Sequence, residues 1–248
     1  MGKVMLVTGG ARGIGRATAL MAAERGWDVA IGWQRDDDAG AEVLAAIRAL
    51  GRRAFGLRGD VAQEADVIAL FDAAERELGR IDSVIVNAGM LARTMPLAEM
   101  TAERMRRTID VNVMGALLTA REAARRLGRP MDRPSATIVL VSSAAARLGS
   151  PGEFVDYAAS KGALDSLNIG LAKELAAQNI RVNAVRPGLI ETGIHASGGQ
   201  PDRAQRLAAG VPMARPGSAD EVAEAILWLA GEESSYVTGT HLDVTGGR

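Results

Sequence analysis

Short apolar runs of strand length alternate along this chain with longer stretches of helical period. The strand-like runs are KVMLVT (3–8), DVAIGW (28–33), RAFGL (53–57), DSVIVN (82–87), ATIVLVS (136–142), IRVNAV (180–185) and HLDV (241–244). Amphipathic stretches lie between them at Gly15–Arg25, Ala39–Leu50, Glu64–Leu78, Met114–Leu127, Val155–Gln178 and Ala219–Ala230. This alternation predicts right-handed βαβ units, and so a single α/β domain over residues 1–248, with helices on both faces of a doubly wound sheet of about seven parallel strands. The strand runs are apolar at nearly every position, as expected where both sheet faces are covered. Periodicity fails over 190–213, where Gly193, Gly198, Gly199 and Pro201 interrupt it. That segment reads either as a surface loop around a short helix or as a substrate lid.

Composition narrows the chemistry. The chain has 248 residues, 48% of them hydrophobic and 24% charged, which suits one well-buried globular core. A formal net charge of −1 supplies no basic stripe for nucleic acid and no attraction to an anionic membrane surface. The N-terminus enters a strand almost at once, without a signal-peptide core, and no run is long enough to span a bilayer, so a cytoplasmic location is expected. Cysteine is absent, and His195 and His241 stand alone in unrelated segments. Thiol nucleophiles and thiolate sites are thereby excluded, and a histidine metal site or a Ser-His-Asp triad is disfavoured. The expected chemistry uses Tyr, Lys, Ser, Asn or carboxylates with an organic cofactor and no metal.

The first strand runs into VTGGARGIGRATA, where Gly9, Gly13 and Gly15 sit at the turn into the first helix. Glycines there let a phosphate approach main-chain N–H groups at the positive end of a helix. In the first turn of a βαβ series this pattern points to a Rossmann-type dinucleotide site.

Tyr157 and Lys161 in YAASKG lie four residues apart on a helical stretch and so share a face. A free phenol titrates near 10, and a neighbouring ammonium favours its ionised form, which would bring it closer to working pH. The pair therefore suits a tuned proton donor that needs no metal. Ser142 and Ser143 follow the strand ATIVLV, at the carboxyl end where open α/β sheets bind ligands. A hydroxyl there can stabilise a carbonyl oxygen as it gains charge.

Taken in order, TGxxxGxG at 8–15, NAG at 87–89, Ser143 and YxxxK at 157–161 resemble the classical short-chain dehydrogenase/reductases over essentially the whole chain. The likeness extends to glucose 1-dehydrogenase-like and 3-oxoacyl-carrier reductase-like members. It implies an oxidoreductase that interconverts a carbonyl and an alcohol by hydride transfer. Tyr157 would be the acid/base, Lys161 its tuner and a ribose ligand, Ser143 the carbonyl orienter, and Asn112 a relay holding water. Ser143 precedes Tyr157 by fourteen residues, which leaves Ser142 as a neighbouring candidate. Cofactor contacts implied are Gly9, Arg12, Gly13, Ile14 and Gly15 at the turn, Gln34 and Arg35 after the second strand, and Asp60 and Val61 after the third. Asn87, Ala88 and Gly89, then Pro187, Gly188, Ile190 and Thr192, complete the set with Tyr157 and Lys161. Asp60 serves equally well as an N-cap of the next helix.

NAD-specific relatives place an acid at the end of the second strand, and that carboxylate would repel a 2′-phosphate. This chain has Trp33 there, followed by Gln34 and Arg35, with Arg12 in the glycine turn. NADP(H) is therefore expected over NAD(H), with NAD(H) still usable. Asp36, Asp37 and Asp38 are read as a cap and an acidic first helical turn that faces solvent. The substrate is a small carbonyl or alcohol, a sugar or polyol as readily as an acyl thioester, beside Leu91, Arg93, Thr94, Ala144–Ala146, Arg147, Leu148, Glu153, Phe154 and His195. The alternative is a non-catalytic dinucleotide-binding regulator on the same fold. Relatives pair the helices 114–127 and 155–178 across two-fold axes, so a homotetramer is expected, with HLDVTGG at a second interface.

Overall fold

The computed structural model describes residues 2–248, apart from the side chain of His195. The chain runs β1 (Val4–Thr8), α1 (Gly13–Glu24), β2 (Asp28–Trp33), α2 (Asp37–Ala49), β3 (Ala54–Arg58), α3 (Glu64–Leu78) and β4 (Ser83–Val86). It continues through α4 (Ala102–Ile109), α5 (Gly115–Leu127), β5 (Ala136–Val141), α6 (Ala145–Leu148), α7 (Val155–Leu175) and β6 (Ile180–Pro187). Finally come α8 (Ile194–Ser197), α9 (Arg203–Leu207), α10 (Ala219–Ala230) and β7 (His241–Val244).

All seven strands are parallel, in the order β3-β2-β1-β4-β5-β6-β7. Alternation along each strand divides the core in two. Leu6 and Val84 face Phe71, Leu127 and Leu164 beneath α3, α5 and α7. Met5, Val7 and Ile85 face Ala22, Ile47 and Ile226 beneath α1, α2 and α10. The sheet is thus covered on both sides, as the apolar strands require. The edge strands β3 and β7 are the exception, with no fully buried residue. No helix among the described residues is long and apolar enough to cross a membrane.

Periodicity missed α4 and the single-turn α6. α4 reads AERMRRTI, short and highly charged on average, and it starts where the Thr101 side chain caps Arg104 N at 3.2 Å. A π-helical turn, Asp110–Met114, joins it to α5, so the stretch expected to begin at 114 is the second half of a longer helical rod. At its far end α7 stops at Leu175 and tightens into a 3-10 turn over Ala176–Gln178. The segment 190–213 holds α8, α9 and a 3-10 turn around its own small cluster of Leu189, Ala204, Leu207 and Val211.

Candidate active site

Strand order reverses between β1 and β4, which opens a crevice at their carboxyl ends. There the Asn87 amide donates to Thr8 O at 2.8 Å and Gly9 O at 3.1 Å, while Thr8 Oγ1 accepts from the amides of Asn87 and Ala88. A cavity of about 970 Å³ fills the crevice. Every catalytic and cofactor residue expected from the sequence lines it except Gly15 and Asn112.

Gly15 has a packing reason to be glycine: a Cβ there would collide with Gly9 O and lie 2.5 Å from the Asn87 amide nitrogen. Gly13 is different. Its φ of 53° is left-handed, and the only atoms near a Cβ would be those of Thr192 across the cavity, 3.6 Å away. Arg12, the N-cap of α1, makes no side-chain cap, so the first-turn N–H groups of the helix remain for a ligand. These residues suit a dinucleotide pyrophosphate.

Near the ends of β2 and β3 the structure bears out one reading and corrects another. Asp36 is indeed the N-cap of α2, accepting Ala39 N at 3.1 Å, but it also lies 3.8 Å from Arg12. Asp37 is exposed in the first turn of α2, as expected, and is also paired. It accepts from Trp33 Nε1 at 2.8 Å and pairs with Arg58 at 3.1 Å, because the β2–β3 register sets Trp33 beside Arg58. The Trp33 indole fits because Gly40 and Gly56 flank it: a Cβ on either would come within 2.7 Å of the ring. Asp60 does not cap α3, whose N-cap is Gln63. Instead it binds Gln34 at 2.6 Å, Arg107 at 2.9 Å and Ala62 N at 3.0 Å, three donors closer than the start of α3. Arg58 and Arg107 are cavity residues that the sequence reading missed. Arg58 stood only two positions before Asp60, but only strand register reveals its neighbour.

At the other end of the cavity the two serines separate. Ser142 is buried, its hydroxyl 2.7 Å from Asp165 and 3.1 Å from Lys161 O. Ser143 is partly exposed to the cavity, and its oxygen accepts Ala145 N at 3.1 Å. Lys161 is buried, donates to Val141 O at 2.7 Å, and stands 5.7 Å from the centre of the Tyr157 ring. Burial lowers its pKa to about 8, opposed by the charge of Asp165. Burial pushes the Tyr157 hydroxyl up, opposed by its interaction with the Ser143 hydroxyl. Asn112 sits in the π-turn with its amide committed: Oδ1 accepts Met90 N at 2.8 Å, and Nδ2 donates to Met90 O and Ser160 Oγ, each at 3.0 Å. It anchors the loop after β4 beneath Lys161.

Of the residues expected around the substrate, Leu91, Ala144, Ala145, Leu148, Glu153 and Phe154 line the cavity, while Arg93, Thr94, Ala146 and Arg147 do not. The His195 side chain lies outside the described residues. From the 190–213 segment, Arg203 also reaches the wall, a contribution that nothing in the aperiodic sequence signalled.

A family model described as "Enoyl-(Acyl carrier protein) reductase" matches residues 9–248. The protein is 48% identical, over 99% of both chains, to the uncharacterized oxidoreductase YgfF of Escherichia coli (strain K12). The chain belongs to the classical short-chain dehydrogenase/reductases. Another member, the cis-4-hydroxycyclohexanecarboxylate dehydrogenase of Sinomonas cyclohexanicum, is 39% identical over 99% of this chain and 96% of its own. Among solved structures, a 3-ketoacyl-(acyl-carrier-protein) reductase from Brucella melitensis, complexed with NADH, matches with a TM-score of 0.90 at 31% identity, covering 100% of this chain and 98% of its own. This short-chain dehydrogenase/reductase is an NAD(P)-dependent oxidoreductase acting on CH–OH groups.

Proposed function

We propose that the protein reduces a small ketone or aldehyde with NADPH, and oxidises the corresponding alcohol in reverse, with Tyr157 as proton donor and acceptor. The observation that carries this reading is the meeting of Ser143, Tyr157 and Lys161 on the cavity whose far end is the glycine turn. The dinucleotide, when bound, supplies the hydride. Ser143 holds the carbonyl oxygen as it becomes negative. Tyr157, kept protonated by burial, gives that oxygen its proton. Lys161 stands behind it as a source of positive charge, and Asn112 keeps the Met90 loop in place.

The preference for NADP(H) has its support at Trp33. An indole occupies the position of the repelling acid, Asp37 is bound to Trp33 and Arg58, and Arg12 and Arg35 line the same part of the cavity. The residues 190–213 act as the substrate lid, contributing Thr192, Ile194 and Arg203 to the wall. Assembly as a homotetramer is supported by apolar side chains left exposed on the helical rod and on α7, among them Ile109, Met114, Leu117 and Ile169. The C-terminal HLDVTGG contributes the second interface.

The test is NADPH oxidation over a panel of ketones, aldehydes, sugars and acetoacetyl thioesters. Tyr157→Phe should bind dinucleotide normally and lose about 10²-fold or more in turnover. Near-normal turnover in that variant, on a substrate limited by chemistry, would remove Tyr157 from its role.

A further inference from the structure

Arg203 opens α9 inside the lid, yet its side chain is only 12% exposed. Nη2 binds Glu153, and the guanidinium lies 5.4 Å from the centre of the Phe154 ring. The remaining donors are idle: Nε is buried without a partner, and Nη1 makes no hydrogen bond among the described residues. All three residues line the cavity, where the surrounding wall includes Leu91, Leu148 and Leu189.

Arg181, which fastens β6 to neighbouring segments, uses its whole fork. Arg181 gives Nε to Ser135, Nη1 to Ser234 and Val237 O, and Nη2 to Gly231 O. Arg203, with equal donor capacity, satisfies one nitrogen. Donors buried in that way are unfavourable until an acceptor arrives. The planar fork accommodates a second carboxylate beside the one it already holds.

We propose that Arg203 is a specificity-determining anchor for an anionic substrate group, so that the alcohol or ketone accepted here carries a carboxylate on a compact apolar skeleton. Position supports this. Phe154, which carries the guanidinium on its ring, is the N-cap of α7, and Tyr157 lies in the first turn of that helix, so the anion would sit a short skeleton away from the proton donor. The inference rests on the function proposed above, and it makes Glu153 a restraint: its charge opposes a second carboxylate on the same guanidinium.

The test is calorimetric titration of cyclohexanecarboxylate and neutral cyclohexanecarboxamide into protein saturated with oxidised dinucleotide. The carboxylate should bind at least about tenfold tighter than the amide, and Arg203→Leu should bring the two within about twofold. Glu153→Gln separates an anchor from a latch: as an anchor's restraint, its removal tightens the carboxylate several-fold and leaves the amide unchanged. Equal affinities in the wild type, no carboxylate binding, a preference that survives Arg203→Leu, or a Glu153→Gln variant that loosens both ligands would each overturn the proposal. Turnover separates the two readings. Oxidation of cyclohexanol and 4-hydroxycyclohexanecarboxylate with equal kcat/KM would leave hydride transfer standing without the anchor. Carboxylate discrimination with no alcohol oxidised would do the reverse.

Discussion

The Lys161 ammonium donates to the main-chain oxygen of Val141 at 2.7 Å, so the helix carrying Tyr157 is tied to the last residue of the strand that leads to Ser143. The contact fixes two elements of the site, and it buries a charge to do so. Because burial lowers the lysine to about 8, below its ordinary 10.5, the folded protein sheds this proton at lower pH than the unfolded chain. Between those values the unfolded state binds more protons, so stability attributable to Lys161 rises with pH. Urea unfolding of wild type and Lys161→Met at pH 8 and pH 10 should show the wild type gaining about 2 kcal/mol relative to the variant. No relative gain, or a relative loss, would mean that Lys161 keeps its charge.

Gly15→Ala places a methyl group against Gly9 O and the Asn87 amide, both of which belong to the junction of β1 and β4. Backbone must move to admit it. Thermal unfolding should show a destabilisation of about 1–3 kcal/mol, in the range of overpacked cores, together with loss of dinucleotide binding. Gly162→Ala, on an α7 face with nothing within 4 Å, is the matched control for helix substitution within the isolated subunit.

Coenzyme choice should depend on the arginines around Trp33. In the wild type, kcat/KM for NADPH should exceed that for NADH by about ten- to a hundredfold, the yield of one net charge-assisted contact. Arg12→Ala, Arg35→Ala and Arg58→Ala, measured with both coenzymes, apportion that preference. An NADH-favouring wild type would defeat the NADP(H) reading, and a preference untouched by all three variants would place its cause elsewhere.

Assembly offers a fourth check. Leu117→Arg and Ile169→Glu put charge on exposed apolar positions of α5 and α7. Light scattering should find a tetramer in the wild type and smaller species in the variants, with little change in the circular dichroism of the subunit. A wild-type monomer at micromolar concentration would contradict the tetramer.

What was legible in the sequence was local. The spacing of Tyr157 and Lys161 fixes their common face through helix geometry alone, and Gly9, Gly13 and Gly15 mark their turn by sitting between a strand and a helix. What escaped depends on distant pairing. Arg58 joins Asp37 only because β2 and β3 run in one register, and Arg203 meets Glu153 from fifty residues away, out of a segment with no period. α4 escaped for another reason: it is only eight residues long and so charged on average that few apolar residues carry its pattern, and a threonine cap marks its start.

The indole held between Gly40 and Gly56 gives the molecule an internal optical reporter. Trp33 borders the cavity, whereas Trp27 lies beside Lys3 at the opposite end of the sheet and Trp228 is on the outer surface of α10. Excited indole emits where reduced nicotinamide absorbs, so cofactor occupancy should register as quenched emission with sensitised coenzyme fluorescence. A Trp33→Phe variant, retaining the other two indoles, would show how much of that light comes from the cleft.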